Sequence, residues 1–235
     1  MDSSYATFLL NKNRDDYNRI ATSFDGKRNY IPLDFKYLKQ YIKENEKILD
    51  LGCGNGRFSE LVSDSSYIGA DISKGELKIA KDRYPYKSFI LIENQLSFPF
   101  LDDSFDKVFC LSVLHHIPSL KFRQDFIKEI KRILKPGGTL ILTVWNLKNA
   151  KKVNKLLFKY FFLKLIGKSK LGFKDIFYPW KDSNGNILAQ RYIHTFSLKE
   201  LRKLVNFSGL EILESKILDR SKKGSNILIV CKKCS

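Results

Sequence analysis

The sequence predicts an α/β protein built on a mainly parallel sheet with helices on both faces. Short apolar runs alternate with helical patterns along the chain, as expected where helices connect parallel strands. The apolar runs are almost continuous, which is typical of strands buried on both faces. The chain has 235 residues, of which 43% are hydrophobic. This size suits a single domain, in which we expect 146–190 to form an insertion.

Six apolar runs predict the strands: KILDL (47–51), SYIGA (66–70), KSFILI (87–92), KVFCLSV (107–113), GTLILTVW (138–145) and NILIVCK (226–232). Between the first five, helical patterns predict helices over about 57–62, 74–83 and 122–134. KPGG at 135–138 predicts the end of a helix and a tight turn into the next strand.

The predicted insertion contains a lysine-rich helix over 151–164, followed by a loop rich in Gly, Pro, Asn and Ser. After the insertion, Ser197 and Glu200 have the spacing of a capping box at the start of a helix. Gly209 is expected to end that helix, and a further strand follows.

Three glycines at alternate positions, Gly52, Gly54 and Gly56, follow the first predicted strand. In parallel α/β folds, ligands bind where the strands end, and glycine lets the backbone approach a ligand closely. The third glycine falls one residue too early for the dinucleotide pattern G-x-G-x-x-G, so a nucleoside-like ligand is favoured over a pyrophosphate. Asp71, which ends the second strand, can accept hydrogen bonds from both ribose hydroxyls of such a ligand.

Four ordered motifs, ILDLGCGNG, GADIS, FPFLDDSFDKVFCLSVLHHI and EIKRILKPGGTLILTVW, resemble those of the class I S-adenosylmethionine-dependent methyltransferases. The resemblance implies a Rossmann-like fold with a seven-stranded sheet, and S-adenosylmethionine as the cofactor. The cofactor contacts that it implies are Asp50, Gly52, Gly54 and Gly56 at the methionine end, Asp71 at the ribose, Asn94 at the adenine amino group, and Ser112. Asn94 stands where the family usually has Asp, and its amide oxygen can still accept a hydrogen bond.

Three flanking motifs narrow the resemblance: YNRIATSFDGKRNYIP (17–32), DIFYPW (175–180) and QRYIHTFSLKEL (190–201). They are similar to motifs of the tRNA wobble-uridine carboxymethyl methyltransferases, from which the chain departs at Lys27, Ile31 and Ile193. The resemblance implies methylation of the carboxylate of 5-carboxymethyluridine in tRNA to give the methyl ester.

This chemistry needs positioning more than a base, because a carboxylate is already ionised at neutral pH. A guanidinium group can hold a planar carboxylate at two points, so Arg191 and Arg28 are candidate catalytic residues. His116 and His194 are further catalytic candidates, and His115, Trp180 and Tyr192 are candidate substrate contacts. For each histidine and aromatic residue, a purely structural role in the core remains the alternative.

No metal site is predicted. His115 and His116 are adjacent and point apart, without an evident third ligand. Cys231 and Cys234 form a single CxxC that lacks a second pair. With only four cysteines, the chain is expected to work in a reducing compartment rather than to form a disulfide scaffold.

The net charge of +17 indicates a polyanionic partner or simply a lysine-rich composition. Between 146 and 174 there are nine lysines and no acidic residue. We expect Lys151 and Lys155 in this segment to bind RNA phosphates, with a solvated face or an anionic bilayer as alternatives. The C-terminal run 219–235 forms a second basic cluster.

The third strand, including residues Phe89 to Ile92, is expected at an edge of the sheet, where another chain can pair with it. Members of the resembled family in eukaryotes pair there with a small zinc-binding activator protein, which gives a hypothesis for this chain. The N-terminus lacks the pattern of a signal peptide, and the most apolar segment is too short to span a bilayer. A cytoplasmic protein is therefore expected.

Two other functions remain open on the same core motifs. One is a small-molecule or quinone methyltransferase whose basic helix docks on a membrane. The other is a tRNA-binding protein that keeps the fold without catalysis.

Overall fold

A sheet of seven strands, in the order β3-β2-β1-β4-β5-β9-β8, forms the centre of the protein. The computed structural model describes residues 1–63, 66–148, 150–219 and 224–234. In chain order the strands are β1 (Ile48–Leu51), β2 (Tyr67–Asp71), β3 (Ser88–Leu91), β4 (Phe105–Leu111), β5 (Leu134–Asn146), β6 (Asp175–Lys181), β7 (Ile187–His194), β8 (Leu210–Asp219) and β9 (Ser225–Lys233). The first five strands pair in parallel, and β9 runs antiparallel between β5 and β8.

Helices cover both faces of this sheet. They are α1 (Ser3–Arg28), α2 (Leu33–Leu38), α3 (Lys74–Arg83), α4 (Leu120–Ile133), α5 (Lys151–Leu165) and α6 (Leu198–Phe207). Two adjacent residues of β4 show that the sheet is buried on both faces. Val108 packs with α4 and α6 on one face, whereas Phe109 packs with α2 and α3 on the other. The mainly parallel, two-sided α/β architecture predicted from the apolar runs is thereby confirmed.

The predicted strands and helices of the core are present in the structure, with differences of detail. The segment 135–138, predicted as a tight turn before the strand, lies within β5, where the pairing with β4 is irregular. All six predicted strands and the strand after Gly209 are present, and the pattern over 74–83 forms α3. Residues Arg57–Leu61 form a five-residue 3-10 helix instead of an α-helix, directly after Gly56 in the left-handed conformation. Ser197 caps α6 as predicted, but the Glu200 carboxylate bonds to His194 and Lys174 instead of closing a capping box.

The segment predicted as a loop after the lysine-rich helix is a β-hairpin, so that prediction is wrong. Strands β6 and β7 pair antiparallel and form a separate two-stranded sheet. Pro179 lies within β6, where it weakens the sequence signal for a strand; a strand paired on only one side tolerates it. The turn between the strands contains Gly185, whose φ of +86° suits glycine. That the chain is one domain with an insertion at 146–190 stays a prediction.

Helix α1 was not predicted from the sequence. Asp2 caps it by accepting a hydrogen bond from the Tyr5 amide at 2.8 Å. The helix packs against α3 and β7, and its buried face includes the polar residues Asn13 and Asp16. Because these side chains interrupt the apolar stripe, helical periodicity gave no signal here.

Candidate functional site

A cavity of about 590 Å³ lies at the carboxyl ends of β1, β2 and β4. The glycine loop after β1 forms its floor, α1 forms one wall, and the β6–β7 hairpin forms another. This is the position where parallel α/β sheets bind ligands, because the strands end there and the loops open away from the core.

The three glycines of the loop have different roles. All three have positive φ, at +80° for Gly52, +54° for Gly54 and +75° for Gly56. A Cβ on Gly52 would lie 2.2 Å from a methyl carbon of Val113, and one on Gly56 would lie 2.9 Å from the Phe89 ring. At Gly54 the nearest atom would be a carboxyl oxygen of Glu76, at 3.6 Å. Gly54 is therefore the glycine whose missing side chain leaves space in the cavity.

This finding corrects the expectation for Gly56, which does not line the cavity. Its bare α-carbon lets β3 and α3 pack closely against the loop. Gly52 lines the cavity, and Val113 leaves no room for a side chain at this position.

Two acids, the buried Asp50 and the half-buried Asp71, line the cavity beside the loop. The Asp71 carboxylate accepts hydrogen bonds from the Gly54 and Ser73 amides, both at 2.8 Å. Burial raises the pKa of Asp71, and these amide bonds oppose the rise. Asp50 accepts a hydrogen bond from the Tyr67 hydroxyl at 2.9 Å, and burial raises its pKa to about 7.

Asn94 lies outside the cavity, contrary to the expectation that it contacts a ligand. Its side chain is exposed, and its amide oxygen accepts a hydrogen bond from the Leu96 amide at 2.9 Å. This local turn holds the side chain in solvent. The neighbouring Gln95 lines the cavity in its place. Ser112 also lines the cavity, with an unusual φ of +63° for a residue that is not glycine.

The Arg191 guanidinium group projects into the cavity from β7 and is only 2% exposed. Four aromatic rings surround its central carbon, at centroid distances of 5.0 Å for Trp180, 5.5 Å for Trp145, 5.8 Å for Tyr17 and 6.0 Å for Tyr178. Among the described residues, Arg191 pairs with no carboxylate, and its Nε has no hydrogen-bond partner. A buried cation of this kind is able to bind an anionic ligand group.

The pairing of the hairpin explains which side chains reach the cavity. Tyr178 lies directly opposite Arg191, and Trp180 lies opposite Ala189. Directly opposed residues share one face of a sheet, so Arg191, Tyr178 and Trp180 project together. The intervening residues of β7, Tyr192 and His194, point to the other face.

Tyr192 is therefore not at the cavity, although it was a candidate substrate contact. Its side chain is fully buried in a cluster with Leu9 and Leu171. Its backbone amide donates to Asn13 Oδ1 at 2.8 Å, which ties the hairpin to α1.

His194 is also away from the cavity, contrary to its predicted catalytic role. Its Nδ1 lies 2.6 Å from the Asp175 carboxylate, and its Nε2 lies 2.8 Å from that of Glu200. Although burial opposes it, hydrogen bonding to His194 and Lys174 lowers the pKa of Glu200 to about 2. His194 thus links β6, β7 and α6 in a structural cluster.

His116 lines the cavity, but both of its ring nitrogens are occupied. Nδ1 lies 2.9 Å from the Tyr192 carbonyl oxygen, so it carries the proton and donates. Nε2 then accepts from the Tyr17 hydroxyl at 2.8 Å, and the Tyr17 oxygen accepts from Arg191 Nη1 at 3.3 Å. Burial, and then the charge of Arg191, lowers the pKa of His116 to about 3, so the ring is neutral.

His115 does not contact the cavity, which corrects its expected role in substrate binding. It is fully buried, its ring lies 4.7 Å from that of Trp145, and its nitrogens have no described hydrogen-bond partner. Burial lowers its pKa well below the usual range, so it is a neutral packing residue behind the cavity wall.

Of the other candidates, Trp180 and Arg28 line the cavity, whereas Lys151 and Lys155 do not. Trp180 Nε1 donates to the Ser23 hydroxyl at 3.0 Å. Lys151 and Lys155 are exposed on α5, and the neighbouring Lys152 lies 4.7 Å above the Tyr178 ring at the cavity mouth.

Sequence reasoning missed several residues of the site, chiefly Tyr17, Trp145, Tyr178, Gln95 and Glu76. Tyr17 and Tyr178 lie within quoted motifs, so attention to every aromatic position of those motifs would have found them. Trp145, the last residue of the motif over 129–145, would have been found in the same way, whereas Glu76 in α3 carries no comparable signal in one sequence.

Other expectations concern metals, membranes and the C-terminus. Over the described ranges, no group of three potential metal ligands is found, and no helix is long and apolar enough to cross a membrane. Cys231 is buried and Cys234 is exposed. Part of the C-terminal basic cluster, 220–223 and 235, lies outside the described residues.

Comparison with known proteins places this cavity in context. Residues 49–142 match the Methyltransferase domain family. A protein of Encephalitozoon cuniculi, named as a methyltransferase with no substrate in its name, is 31% identical over 84% of this chain and 86% of its own length. The tRNA (carboxymethyluridine(34)-5-O)-methyltransferase of Schizosaccharomyces pombe is 29% identical over 84% of this chain and 88% of its own length.

Two solved structures have the same fold. A SAM-dependent methyltransferase of Methanosarcina mazei has a TM-score of 0.69 and 25% identity, over 84% of this chain and 97% of its own. The second is a Haloferax volcanii complex between the Trm112 methyltransferase activator and a methyltransferase. It has a TM-score of 0.66 and 17% identity, over 95% of this chain and 98% of its own.

Proposed function

The chain belongs to the class I S-adenosylmethionine-dependent methyltransferases, and on that premise we propose that it methylates the carboxylate of 5-carboxymethyluridine at the tRNA wobble position. The observation that carries this proposal is the Arg191 guanidinium group. It is buried at the cavity, caged by aromatic rings and unpaired with any described carboxylate. The relative in Schizosaccharomyces pombe, whose name states this reaction, aligns over most of both chains.

The residues at the floor of the cavity fit the methyl donor, S-adenosylmethionine. Gly54 leaves space where a side chain would otherwise stand, and Asp71 ends β2 beside it. The Glu76 carboxyl oxygens, directly opposite, are buried without a hydrogen-bond partner. We assign Asp50, Gly52, Gly54, Asp71 and Ser112 to holding this donor, which supplies an electrophilic methyl group on a positively charged sulfur.

Arg191 is assigned to binding the substrate carboxylate. A guanidinium group presents paired N–H donors that match the two oxygens of a carboxylate, so it fixes the direction from which the nucleophilic oxygen approaches. Arg28 also lines the cavity and is a second candidate for this task. No general base is required, because the carboxylate reacts in its ionised form.

Tyr17 and His116 hold the guanidinium group in place. The neutral His116 ring accepts a hydrogen bond from the Tyr17 hydroxyl, which leaves the Tyr17 oxygen free to accept one from Arg191. His116 is thus a positioning residue in this proposal rather than a proton carrier. Orienting two reactants in this way contributes up to about 7–11 kcal/mol in ideal cases.

The aromatic side chains around Arg191 exclude water from the reacting carboxylate. Trp145, Tyr178 and Trp180 form this wall. A drier site strengthens the interaction between guanidinium and carboxylate. The wall also offers surfaces on which a nucleobase can stack.

The basic segment around α5 is proposed as the surface that binds tRNA phosphates. Lys151 and Lys155 are exposed, and Lys152 connects them to the cavity mouth. The nine lysines and absence of acidic residues over 146–174 favour a polyanion at this surface.

We also propose that a small zinc-binding activator protein pairs with β3. This strand, with Phe89 inward, lies at one edge of the sheet, which leaves its outer side open for pairing. The Haloferax volcanii protein of the same fold was solved together with an activator. Preparation of the chain alone tests this: a well-folded, fully active monomer would contradict it.

The tRNA proposal is tested by supplying the purified protein with labelled methyl donor and tRNA from cells that lack the ester. Nucleoside mass spectrometry should show 5-carboxymethyluridine converted to its methyl ester. Arg191→Gln should abolish the product, and the exposed Arg202→Gln should leave it unchanged. Labelling of a lipid extract or a small-molecule pool instead of tRNA would favour the other methyltransferase function.

A further inference from the structure

Glu76 is a buried acid at the cavity for which the described residues provide no hydrogen-bond partner. It lies in the first turn of α3 and is 1% exposed. Its backbone amide bonds to the Ser73 hydroxyl at 3.2 Å, but neither carboxyl oxygen has a hydrogen-bond partner. One of these oxygens lies 3.6 Å from the point where a Cβ on Gly54 would stand.

An isolated buried acid is costly to a fold, because its polar atoms lose their hydrogen bonds to water. A leucine or methionine would fill the same volume without that cost. Leu77 and Ala80 provide the apolar face of α3. The first turn of a helix favours an acid at position 76 but does not supply the missing hydrogen bonds to its carboxyl oxygens. The acid is accounted for if a ligand supplies the missing hydrogen-bond donors.

Burial, together with two neighbouring acids, favours the protonated form of Glu76 while the ligand is absent. Burial raises its pKa, Asp71 and Asp25 raise it further, and Arg57 lowers it, with the result at about 9. Asp25, in α1, accepts hydrogen bonds from Arg83 and Asn55, at 2.7 and 2.8 Å. Arg57 approaches from the glycine loop and donates to the Arg28 carbonyl at 2.8 Å.

We propose that Glu76 is a second acidic contact for S-adenosylmethionine, beside Asp71, and that it releases its proton to solvent when the donor binds. The donor carries two ribose hydroxyls and an ammonium group, all of which can donate to a carboxylate. Its positive charges favour the ionised form of a nearby acid. This inference depends on the methyl donor alone, so the identity of the methylated substrate does not enter it.

Isothermal titration calorimetry with S-adenosylhomocysteine tests the proton release directly. Binding heats are compared in two buffers of different ionisation enthalpy near neutral pH, which gives the number of protons released. The wild-type protein should release up to about one proton more than Glu76→Gln, in which the amide cannot ionise. Glu44→Gln, an exposed substitution, should release the same number as the wild type.

The affinity should depend on pH in a matching way. Between about pH 6.5 and 8.5, the ratio of wild-type to Glu76→Gln affinity should rise by up to about tenfold per pH unit. Asp50, Asp71 and the amino group of the ligand titrate in both proteins, so the ratio isolates Glu76.

Equal affinities and equal proton counts for wild type and Glu76→Gln would overturn the proposal. Circular dichroism and thermal unfolding establish that the variant is folded. If it does not fold, Glu76→Met, which fills a similar volume and cannot ionise, replaces it in the same comparison, and equal affinities and proton counts again overturn the proposal. Failure of the protein to methylate tRNA would refute the proposed substrate and leave this inference standing.

Discussion

The hydroxyl group of Tyr17 lies 2.8 Å from Nε2 of His116 and donates a hydrogen bond to that nitrogen. The opposite ring nitrogen of His116 is committed to the Tyr192 carbonyl, so the tautomer is fixed from behind the cavity. Through this arrangement α1, the turn after β4 and the β6–β7 hairpin converge on one guanidinium group, that of Arg191.

Tyr17→Phe should slow methyl transfer by about tenfold or more, because Arg191 loses the acceptor that orients it. The buried His116 nitrogen also loses its donor, which should cost about 1–3 kcal/mol of unfolding free energy. Steady-state kinetics and chemical denaturation measure the two effects. Tyr86→Phe, at an exposed tyrosine, is the matched control. Unchanged kinetics for Tyr17→Phe would remove Tyr17 from the positioning network.

Arg191→Lys should reduce methyl transfer by about 10- to 150-fold, although the positive charge is kept. An ammonium group makes a single point contact, and the lost charge-assisted hydrogen bond accounts for about 1.5–3 kcal/mol. The affinity for S-adenosylhomocysteine should stay the same, because Arg191 is assigned to the other substrate. Arg202→Lys serves as the control, and a parallel loss of cofactor affinity would contradict this division of roles.

Gly52→Ala and Gly54→Ala should fail in different ways. At Gly52 the new methyl group meets Val113 at 2.2 Å, so the variant should unfold more readily. At Gly54 the space is open, and only the strain of positive φ remains, about 1–2 kcal/mol. Gly54→Ala should therefore stay folded and lose binding of S-adenosylhomocysteine, as seen by combining thermal unfolding with calorimetry. Normal binding by Gly54→Ala would place the ligand elsewhere.

The pKa of Asp175 is lowered, and that of Glu200 is lowered to about 2. Both shifts predict that the fold loses stability in acid. A carboxyl group whose pKa is lower in the folded state stabilises the fold above its unfolded value and stops doing so as the pH falls through the folded value. Glu200→Gln should therefore lower stability at neutral pH by about 1 kcal/mol, since the group is partly exposed to solvent. The difference from wild type should shrink between about pH 4.5 and 2.

Urea denaturation at several pH values measures this difference. Binding of S-adenosylhomocysteine at neutral pH should be unaffected, because the His194 cluster does not line the cavity. A loss of methyl transfer by a folded Glu200→Gln protein would restore a catalytic role for His194.

Lys151→Gln combined with Lys155→Gln should weaken tRNA binding and flatten its dependence on salt. Each lysine that neutralises a phosphate contributes about 0.7–0.9 to the slope of log affinity against log salt concentration. The matched control is the double substitution Lys199→Gln and Lys203→Gln, which has the same spacing on α6. Equal slopes for the two double variants would exclude the α5 surface from RNA binding.

The sequence predicted well those parts of the fold in which every residue of an element is buried in the apolar core. Strands buried on both faces need apolar side chains throughout, so runs such as that around Val108 and Phe109 are recognisable. Helix α1 and the β6–β7 hairpin are different, because their inner faces form the cavity and carry polar or aromatic residues. Asn13 in α1 and Arg191 in β7 interrupt the apolar patterns for this reason.

Site residues were predicted correctly where the residue type itself indicates the role. They were mispredicted where the role depends on the direction in which the side chain points. Gly52, Gly54, Asp71 and Arg191 lie at the cavity as expected, whereas Gly56 does not. Tyr192 and His194 were candidates, with Arg191, because the motif over 190–201 resembles one of the tRNA methyltransferases, but adjacent residues of a strand point to opposite faces. Asn94 missed the cavity because its own turn holds its side chain outward.

The register of the β6–β7 hairpin limits which changes of chain length evolution can accept. Added or lost residues within the turn at 182–186 leave Tyr178 paired with Arg191. Deletion of one residue of β7 between the turn and Arg191 would exchange the two faces of the strand. Arg191 would then point toward Leu9, and Tyr192 would point into the cavity. Natural variants of this segment should therefore differ in the length of the turn. The number of residues between Trp180 and the turn, and between the turn and Arg191, should stay constant.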